Sequence, residues 1–326
     1  MTDLALVTGA TGFIGSALVR KLLSEGYTVR ALHRSHSSLR ALEGLQVEYA
    51  EGDILLPDTL TPAMHGIRWL FHAAAQSDYW REPSGVVKAA TQGTRNILHA
   101  ALQAGVERAV LTSSSSAMGV PTTDALLDEK DIFNLPPKRF PYGYAKYQSE
   151  LAALELVEQG LDVVIVNPSI VLGPGDVNQI SGSLVVQSAR GHAFLWVDGG
   201  TNLIHVADVA AGHLAALRNG RTGERYLLGH ENLTHKEMFK TLADITGRRE
   251  PWLHLPSALV TPAAVCVNLL GKCFPLPLDG DQLRLSRYYL WYDISRARDE
   301  LGFTASLGFE TAAREAYDWY RQQGVV

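Results

Sequence analysis

The chain has 326 residues, 46% of them hydrophobic and 19% charged, and a formal net charge of -5. That length suits a large α/β domain plus a smaller one. The net negative charge argues against a nucleic-acid partner, and Arg248-Arg249 is too short a basic run to reverse that.

Leu4–Thr8 reads as a short buried strand. It runs into Thr8-Gly9-Ala10-Thr11-Gly12-Phe13-Ile14-Gly15, and an amphipathic helix over Phe13–Ser24 follows (Ile14, Ala17, Leu18, Leu22). Glycines spaced three apart let the backbone approach a pyrophosphate, whose charge sits on the N–H groups and positive dipole of the helix. Thr28–His33 is the next strand, ended by Arg34-Ser35, and Val47–Glu51 another, ended by Gly52-Asp53. Then come a strand over Trp69–Ala73, a helix from Pro83 to Ala104, a strand over Arg108–Ser113, a helix from Tyr142 to Gln159 and a strand over Asp162–Asn167, stopped by Pro168. This alternation predicts an α/β fold with a doubly wound parallel sheet, with ligands bound beyond the carboxyl ends of its strands.

After Pro168 the pattern loosens. Gly173-Pro174-Gly175-Asp176 marks a turn. Helices are expected over Val206–Leu217, Glu237–Thr246, Asp293–Leu301 and Glu310–Arg321, with a short strand at Arg225–Leu228. The expected division is a dinucleotide-binding domain over 1–172, with 204–228 returning to it. A smaller, mostly helical substrate lobe is built from 173–203 and 229–326. Leu259–Leu270 is nearly all apolar but too short to span a bilayer. It reads as a buried helix starting at Pro262, or one lining an apolar pocket, with membrane-surface contact as the other reading.

Cys266 and Cys273 would share a helix face but lie too far apart along the axis for a disulfide. No Cys/His spacing suggests a metal. A reducing cytoplasm is the expected compartment, and the first strand begins too early to leave room for a leader.

The chemistry centres on Tyr142-Gly143-Tyr144-Ala145-Lys146. Positions i and i+4 share a helix face, so Tyr142 and Lys146 point into one cleft. A tyrosine with a pKa of about 10 is a poor base at neutral pH. A neighbouring ammonium and the positive ring of an oxidised nicotinamide favour its phenolate, and the same phenol can protonate a carbonyl oxygen. Upstream, the strand Ala109-Val110-Leu111 runs into Thr112-Ser113-Ser114-Ser115-Ser116, whose hydroxyls at a strand end can steady a substrate oxygen.

With these three motifs the chain resembles the extended short-chain dehydrogenase/reductases of the epimerase/dehydratase family. Gly52-Asp53-Ile54, Phe71-His72-Ala73-Ala74-Ala75, Gly93-Thr94-Arg95-Asn96, Asn167-Pro168-Ser169 and His205-Val206-Ala207-Asp208 extend the likeness along most of the chain. The resemblance implies that Gly9, Thr11, Gly12, Phe13, Ile14 and Gly15 hold the pyrophosphate. Asp53 and Ile54 would flank the adenine, Ala73 and Ala74 the nicotinamide-side ribose, and Pro168 and Val171 the nicotinamide ring. Lys146 would also bond that ribose, and Ser114 aligns as the catalytic serine, with a one-position error open because of the serine run. Family members often carry Asn where this chain has Ala90. They also often dimerise through the helix bearing the Tyr-x-x-x-Lys motif, which implies a homodimer.

NAD-dependent members carry an acidic residue after the second strand that bonds the ribose 2′-hydroxyl. Here the strand ends Leu32-His33-Arg34-Ser35, and Arg34 suits a 2′-phosphate. NADP is therefore the expected cofactor and NAD the alternative.

Gly26-Tyr27-Thr28-Val29-Arg30-Ala31 is similar to the second strand of dihydroflavonol reductases. Asn167-Pro-Ser, Gly173-Pro-Gly-Asp-Val177 and Gly223-Glu-Arg-Tyr226 are similar to the branch of hopanoid-associated sugar epimerases. A nucleotide-diphosphate sugar needs arginines in the smaller lobe, where only Arg284 and Arg287 are well placed. Trp196, Leu253, Leu255, Val260 and Val265 there suit an apolar or aromatic carbonyl compound better. Tyr79 and Trp80, just past the fourth strand, are candidate substrate contacts, with ordinary packing the competing reading. The expectation is a carbonyl reductase using Ser114, Tyr142 and Lys146. A nucleotide-sugar epimerase with tightly held NAD is the alternative, and a non-catalytic cofactor sensor the third reading.

Overall fold

The computed structural model describes residues 3–75, 83–179, 182–270 and 280–326. In chain order the first half holds β1 (Leu4–Thr8), α1 (Phe13–Ser24), β2 (Thr28–His33), β3 (Glu48–Glu51), α2 (Leu60–Ala63), β4 (Trp69–His72), α3 (Pro83–Ala104), β5 (Arg108–Thr112), α4 (Pro141–Glu158) and β6 (Val163–Pro168). The second half holds β7 (Ile170–Leu172), α5 (Ser183–Ala189), β8 (Leu195–Val197), β9 (Gly200–His205), α6 (Val206–Asn219), β10 (Arg225–Leu228) and β11 (Glu231–Thr234). It continues with α7 (His235–Thr246), β12 (Leu253–Leu255), α8 (Ser257–Leu270), α9 (Gly280–Leu285), β13 (Tyr289–Leu290), α10 (Ser295–Leu301) and α11 (Phe309–Gln322).

Seven strands form one parallel sheet in the order β3-β2-β1-β4-β5-β6-β10. The strand order reverses between β1 and β4, so a crevice opens there beyond their carboxyl ends. All five residues of β1 are buried, and their alternation feeds two cores. Ala5 and Val7 pack with Leu18 and Leu22 of α1 and Val209 and Leu214 of α6. Leu4 and Leu6 pack with Ile97 and Leu98 of α3 and Ala153 and Leu156 of α4. A strand buried on both faces must read as a continuous apolar run, as Leu4-Ala5-Leu6-Val7 does.

The smaller lobe combines helices with short strands. β9 pairs with β7, β11 and β13 in a four-stranded sheet, and β12 pairs with β8. α5, α7 and α11 cover it through Val185, Leu242, Ala313 and Tyr320. The α7 helix starts two residues before its sequence-based expectation, because Thr234 and Glu237 form a reciprocal capping box at its first turn.

One expectation needs correction. α8 starts at Ser257, with Pro262 inside it. It is not a buried helix: Val260 and Ala264 pack inward, but Leu259, Val265 and Leu269 are 53%, 46% and 58% exposed. Cys266 is a free, exposed thiol on that helix, and Cys273 lies outside the described residues. No helix among the described residues is long and apolar enough to cross a membrane.

Candidate active site

The glycine turn leaves β1 and is built without room for side chains. Gly9 has a left-handed φ of +66°, and a Cβ there would lie 2.7 Å from the Ala73 carbonyl oxygen and from the Ala74 nitrogen. A Cβ on Gly15 would lie 2.1 Å from the Gly9 carbonyl oxygen. The Gly12 N–H donates to the Gly9 carbonyl at 2.9 Å and closes the turn. Gly12 caps α1 with no side-chain bond, and no acid stands in the helix's first turn. The N–H groups and dipole of α1 are therefore open to an anion, which is what a pyrophosphate requires.

A directed chain of hydrogen bonds ties the turn to the neighbouring strand. The Ala74 N–H donates to Thr8 Oγ1 at 3.1 Å, and Thr8 Oγ1 lies 2.7 Å from His72 Nδ1. His72 Nε2 lies 3.3 Å from Thr94 Oγ1, which lies 2.5 Å from Ser149 Oγ. Ser149 Oγ in turn donates to the Ala90 carbonyl. With the first and last partners fixed as donor and acceptor, one polarity satisfies every member, and it needs neutral His72. Complete burial pushes the His72 pKa down to about 3, with a further contribution from the Lys146 charge. Ala90, where family members often carry asparagine, thus serves through its carbonyl.

Tyr142, Lys146 and Ser114 come together at the ends of β5 and α4. Pro141 occupies the first turn of α4 and starts the helix. One turn separates Tyr142 from Lys146, and both line a cavity of about 20 Å³ with His72, Thr94, Thr112 and Ser149. That is room for one water. α4 approaches the serine turn closely at Gly143, where a Cβ would lie 2.7 Å from the Ser116 carbonyl oxygen. Three of the four serines in the run are told apart by their side-chain partners. Ser113 Oγ donates to Glu150 Oε1 at 2.5 Å. Ser115 bonds Tyr292, and Ser114 bonds Tyr142. Ser114 also caps the short turn Ser115–Met118, accepting from the Ser116 N–H at 3.2 Å.

Lys146 is buried and donates through Nζ to the Thr112 carbonyl at 2.8 Å. Burial pushes its pKa down to about 8, against the opposing effect of Glu150. Burial pushes Tyr142 up from its ordinary value, and the Ser114 hydroxyl offsets part of that rise. The expected lowering of the phenol by Lys146 is therefore not seen among the protein groups alone, where burial raises it and only the Ser114 hydroxyl opposes. The positive nicotinamide ring was the other cation in that expectation. On the far side of Lys146, His213 is buried and neutral, its pKa pushed down to about 4. It stands between the Val209 carbonyl (2.7 Å from Nδ1) and Thr112 Oγ1 (2.8 Å from Nε2).

The remaining expected residues lie around the crevice. Arg34 is exposed just past β2, in a turn closed by the Ser37 N–H donating to its carbonyl at 2.9 Å. Its guanidinium makes no ion pair or side-chain hydrogen bond among the described residues. It lines a cleft of about 1260 Å³ together with Thr11, Ser37, Arg40, Gly175 and Asn178. Asp53 accepts from the Leu55 N–H at 2.8 Å through one carboxylate oxygen. The Ile54 carbonyl accepts from Asn96 at 2.8 Å, which ties it to α3. Pro168 is buried at the end of β6, and Val171 is buried in β7. Tyr79 and Trp80 lie outside the described residues. Between Pro168 and Val171 the Ser169 hydroxyl is buried with no partner among the described residues. Sequence reasoning did not single out Ser169 or Glu150. Their signals were the Asn167-Pro168-Ser169 stretch and a glutamate one helical turn beyond Lys146.

Residues 5–229 match the model of the NAD dependent epimerase/dehydratase family. The chain belongs to that family. Two relatives and one solved structure are similar to it over essentially the whole chain. A Synechocystis protein provisionally named dihydroflavonol 4-reductase is 38% identical over 340 aligned positions, which cover 100% of this chain and 97% of that one. The sterol demethylase protein B of Methylococcus capsulatus is 33% identical, with 98% of this chain and 99% of that one covered. The crystal structure of gox2253 covers both chains completely (100%), with a TM-score of 0.89 at 35% identity. The family uses a nicotinamide dinucleotide, and the Gly9 and Gly15 cradle and the open first turn of α1 fit its pyrophosphate. The protein is an NAD(P)-dependent oxidoreductase of the epimerase/dehydratase family.

Proposed function

We propose that the protein is an NADP-preferring carbonyl reductase and alcohol dehydrogenase acting on an apolar or aromatic small molecule. The observation that carries this is the grouping of Tyr142, Ser114 and Lys146 at the strand ends, with Arg34 in the cleft past β2. A bound NADP(H) supplies or accepts the hydride. Ser114 bonds the substrate oxygen and Tyr142 gives it a proton in reduction, or takes one in oxidation. Lys146 holds its ammonium beside them and bonds the nicotinamide-side ribose. Arg34 clamps the 2′-phosphate with charge-assisted hydrogen bonds. Thr11, Phe13 and Ile14 meet the pyrophosphate through backbone, Asp53 and Ile54 flank the adenine, and Ala73 and Ala74 line the ribose.

The smaller lobe supports the choice of substrate class. Arg284, one of two candidate partners for a sugar diphosphate, is paired with Asp281 at 2.7 Å. Arg287 lies over the Tyr288 ring. Apolar side chains stand exposed on α8 instead. Substrates such as those implied by the names dihydroflavonol 4-reductase and sterol demethylase fit such a lobe better than a charged sugar nucleotide.

Tyr142→Phe tests the reading. NADPH oxidation with a panel of aldehydes and ketones of graded size is expected to fall roughly 10²–10⁴-fold, with NADPH affinity retained. Unchanged turnover overturns it. Release of stoichiometric NAD from the denatured protein, with no NADPH-dependent reduction, would favour the epimerase instead.

A further inference from the structure

Tyr142, Lys146 and Glu150 stand at successive turns on one face of α4, and the third of them has no place in the chemistry above. Glu150 is buried, and its carboxylate is surrounded by donors. Ser113 Oγ and Asn167 Nδ2 both donate to Oε1 at 2.5 Å, and Arg225 Nη1 donates to Oε2 at 3.1 Å. Asn167 Nδ2 also donates to the Ser114 carbonyl at 2.9 Å. The carboxylate therefore grips the serine turn at two consecutive residues, through the Ser113 side chain and, by way of Asn167, the Ser114 backbone.

We propose that Glu150 is a positioning residue that seats Ser114 against Tyr142 and keeps Lys146 in its ammonium form. The proposal rests on the reading of Tyr142 and Lys146 as catalytic groups.

A simpler role would be to neutralise Arg225, since an unpaired buried charge is costly. Arg225, however, also donates to the Glu129 and Asp131 carbonyls, so it has acceptors without Glu150. Among the described residues, nothing else near Lys146 supplies negative charge. Its α4 neighbour Tyr142 is held as the neutral phenol by burial. β4 presents His72 and α6 presents His213, both kept neutral above about pH 5 by burial. α3 presents Thr94, the end of β5 presents Thr112 and Ser113, and β10 presents only the positive Arg225. Glu129 lies beyond Arg225, and burial raises its pKa. Desolvation alone drives the Lys146 ammonium toward the neutral amine, and Glu150 is the group that opposes this.

The test is the pH profile of kcat for carbonyl reduction at saturating NADPH. In Glu150→Gln the alkaline limb is expected to move toward lower pH by about one unit, a tenfold change in proton affinity. In Glu150→Asp, which keeps the charge but shortens the reach, the limb should stay in place while kcat falls. A kcat lowered equally at all pH values in Glu150→Gln, with the limb unmoved, would mean a structural role only and overturn the proposal. If Glu150→Gln does not fold, the pair exchange Glu150→Gln with Arg225→Met removes both buried charges together, and an acid shift in the same direction but smaller is expected, because the loss of the Arg225 charge partly offsets that of Glu150. If turnover is too low to read, calorimetry of NADPH binding at pH 7, below the Lys146 pKa of about 8, in buffers of different ionisation enthalpy replaces it. The variant should take up more protons than the parent, and equal uptake overturns the proposal. Turnover surviving in Tyr142→Phe would instead defeat the underlying reading, so the two failures are distinct.

Discussion

The two ends of the molecule treat polarity in opposite ways. Around α4 and the strand ends, Thr8, His72, Thr94, Lys146, Ser149, Glu150 and His213 are buried, and each bonds a named partner. In the smaller lobe Leu259, Val265 and Leu269 stand in the open on α8. A buried polar group without a partner costs free energy, so the first region is over-determined and rigid. An exposed apolar face costs little by itself and leaves specificity open. On the proposed reading, the difference assigns the reaction type to the first region and the choice of substrate to the second.

Acid should break the first region most strongly. His72 and His213 have folded pKa values near 3 and 4, against an ordinary value of 6.5. Between pH 6.5 and 4 the unfolded chain binds a proton on each and the folded chain does not. Stability is then fully present above pH 6.5 and falls as pH falls, by about 2.7 kcal/mol per pH unit for two protons. Across that window the loss reaches several kcal/mol, a large part of an ordinary domain's stability. Urea unfolding at a series of pH values measures the slope. His213→Gln should flatten it by about half, and an unchanged slope would remove His213 from the account.

Gly15→Ala attacks the same region through backbone. The Cβ would lie 2.1 Å from the Gly9 carbonyl, so the turn must open. Overpacking of this kind costs about 1–3 kcal/mol. NADPH affinity, read by fluorescence titration, should weaken by about two orders of magnitude, or close to 3 kcal/mol. Gly26→Ala, at a loop glycine with open space around it but a φ of +84°, should strain its turn and yet leave that affinity unchanged.

Arg34→Ser has a smaller and more selective effect. Removing one charge-assisted contact to the 2′-phosphate costs about 1.5–3 kcal/mol, so the KM for NADPH should rise about 10- to 100-fold. The KM for NADH should not change. Equal changes for both cofactors would show that Arg34 shapes the loop rather than reading the phosphate.

The first region was also the more legible one in sequence. β1, β4, β5 and β6 are buried on both faces, so each reads as an apolar run, and Tyr142 and Lys146 stand one helical turn apart. What could not be read is the layer beneath them. Thr8 and His72 are 64 residues apart, and Thr112 and His213 are 101 apart, so no local pattern joins them. Ser114 could be placed only to within one position, because the four serines differ in what they face and not in composition. In the lobe, β7, β8, β12 and β13 have at most three residues, too few for any alternation to show. α8 misled for a different reason. Its composition is apolar on all sides, and composition carries no information on which sides are covered.

That helix offers the finest test of the contrast, because both environments occur on adjacent residues. Val260 is fully buried against Val197 and Leu283, while Leu259 beside it is 53% exposed. Val260→Ala should cost about 1–2 kcal/mol, as methyl groups leave a packed site. Leu259→Ala removes more carbon, yet it should change stability by no more than about 0.5 kcal/mol. If the exposed face of α8 meets an apolar substrate, Leu259→Ala should raise the KM for large carbonyl compounds and leave that for small aldehydes unchanged. A uniform KM across the panel would place the substrate elsewhere in the lobe and leave α8 with a purely structural role.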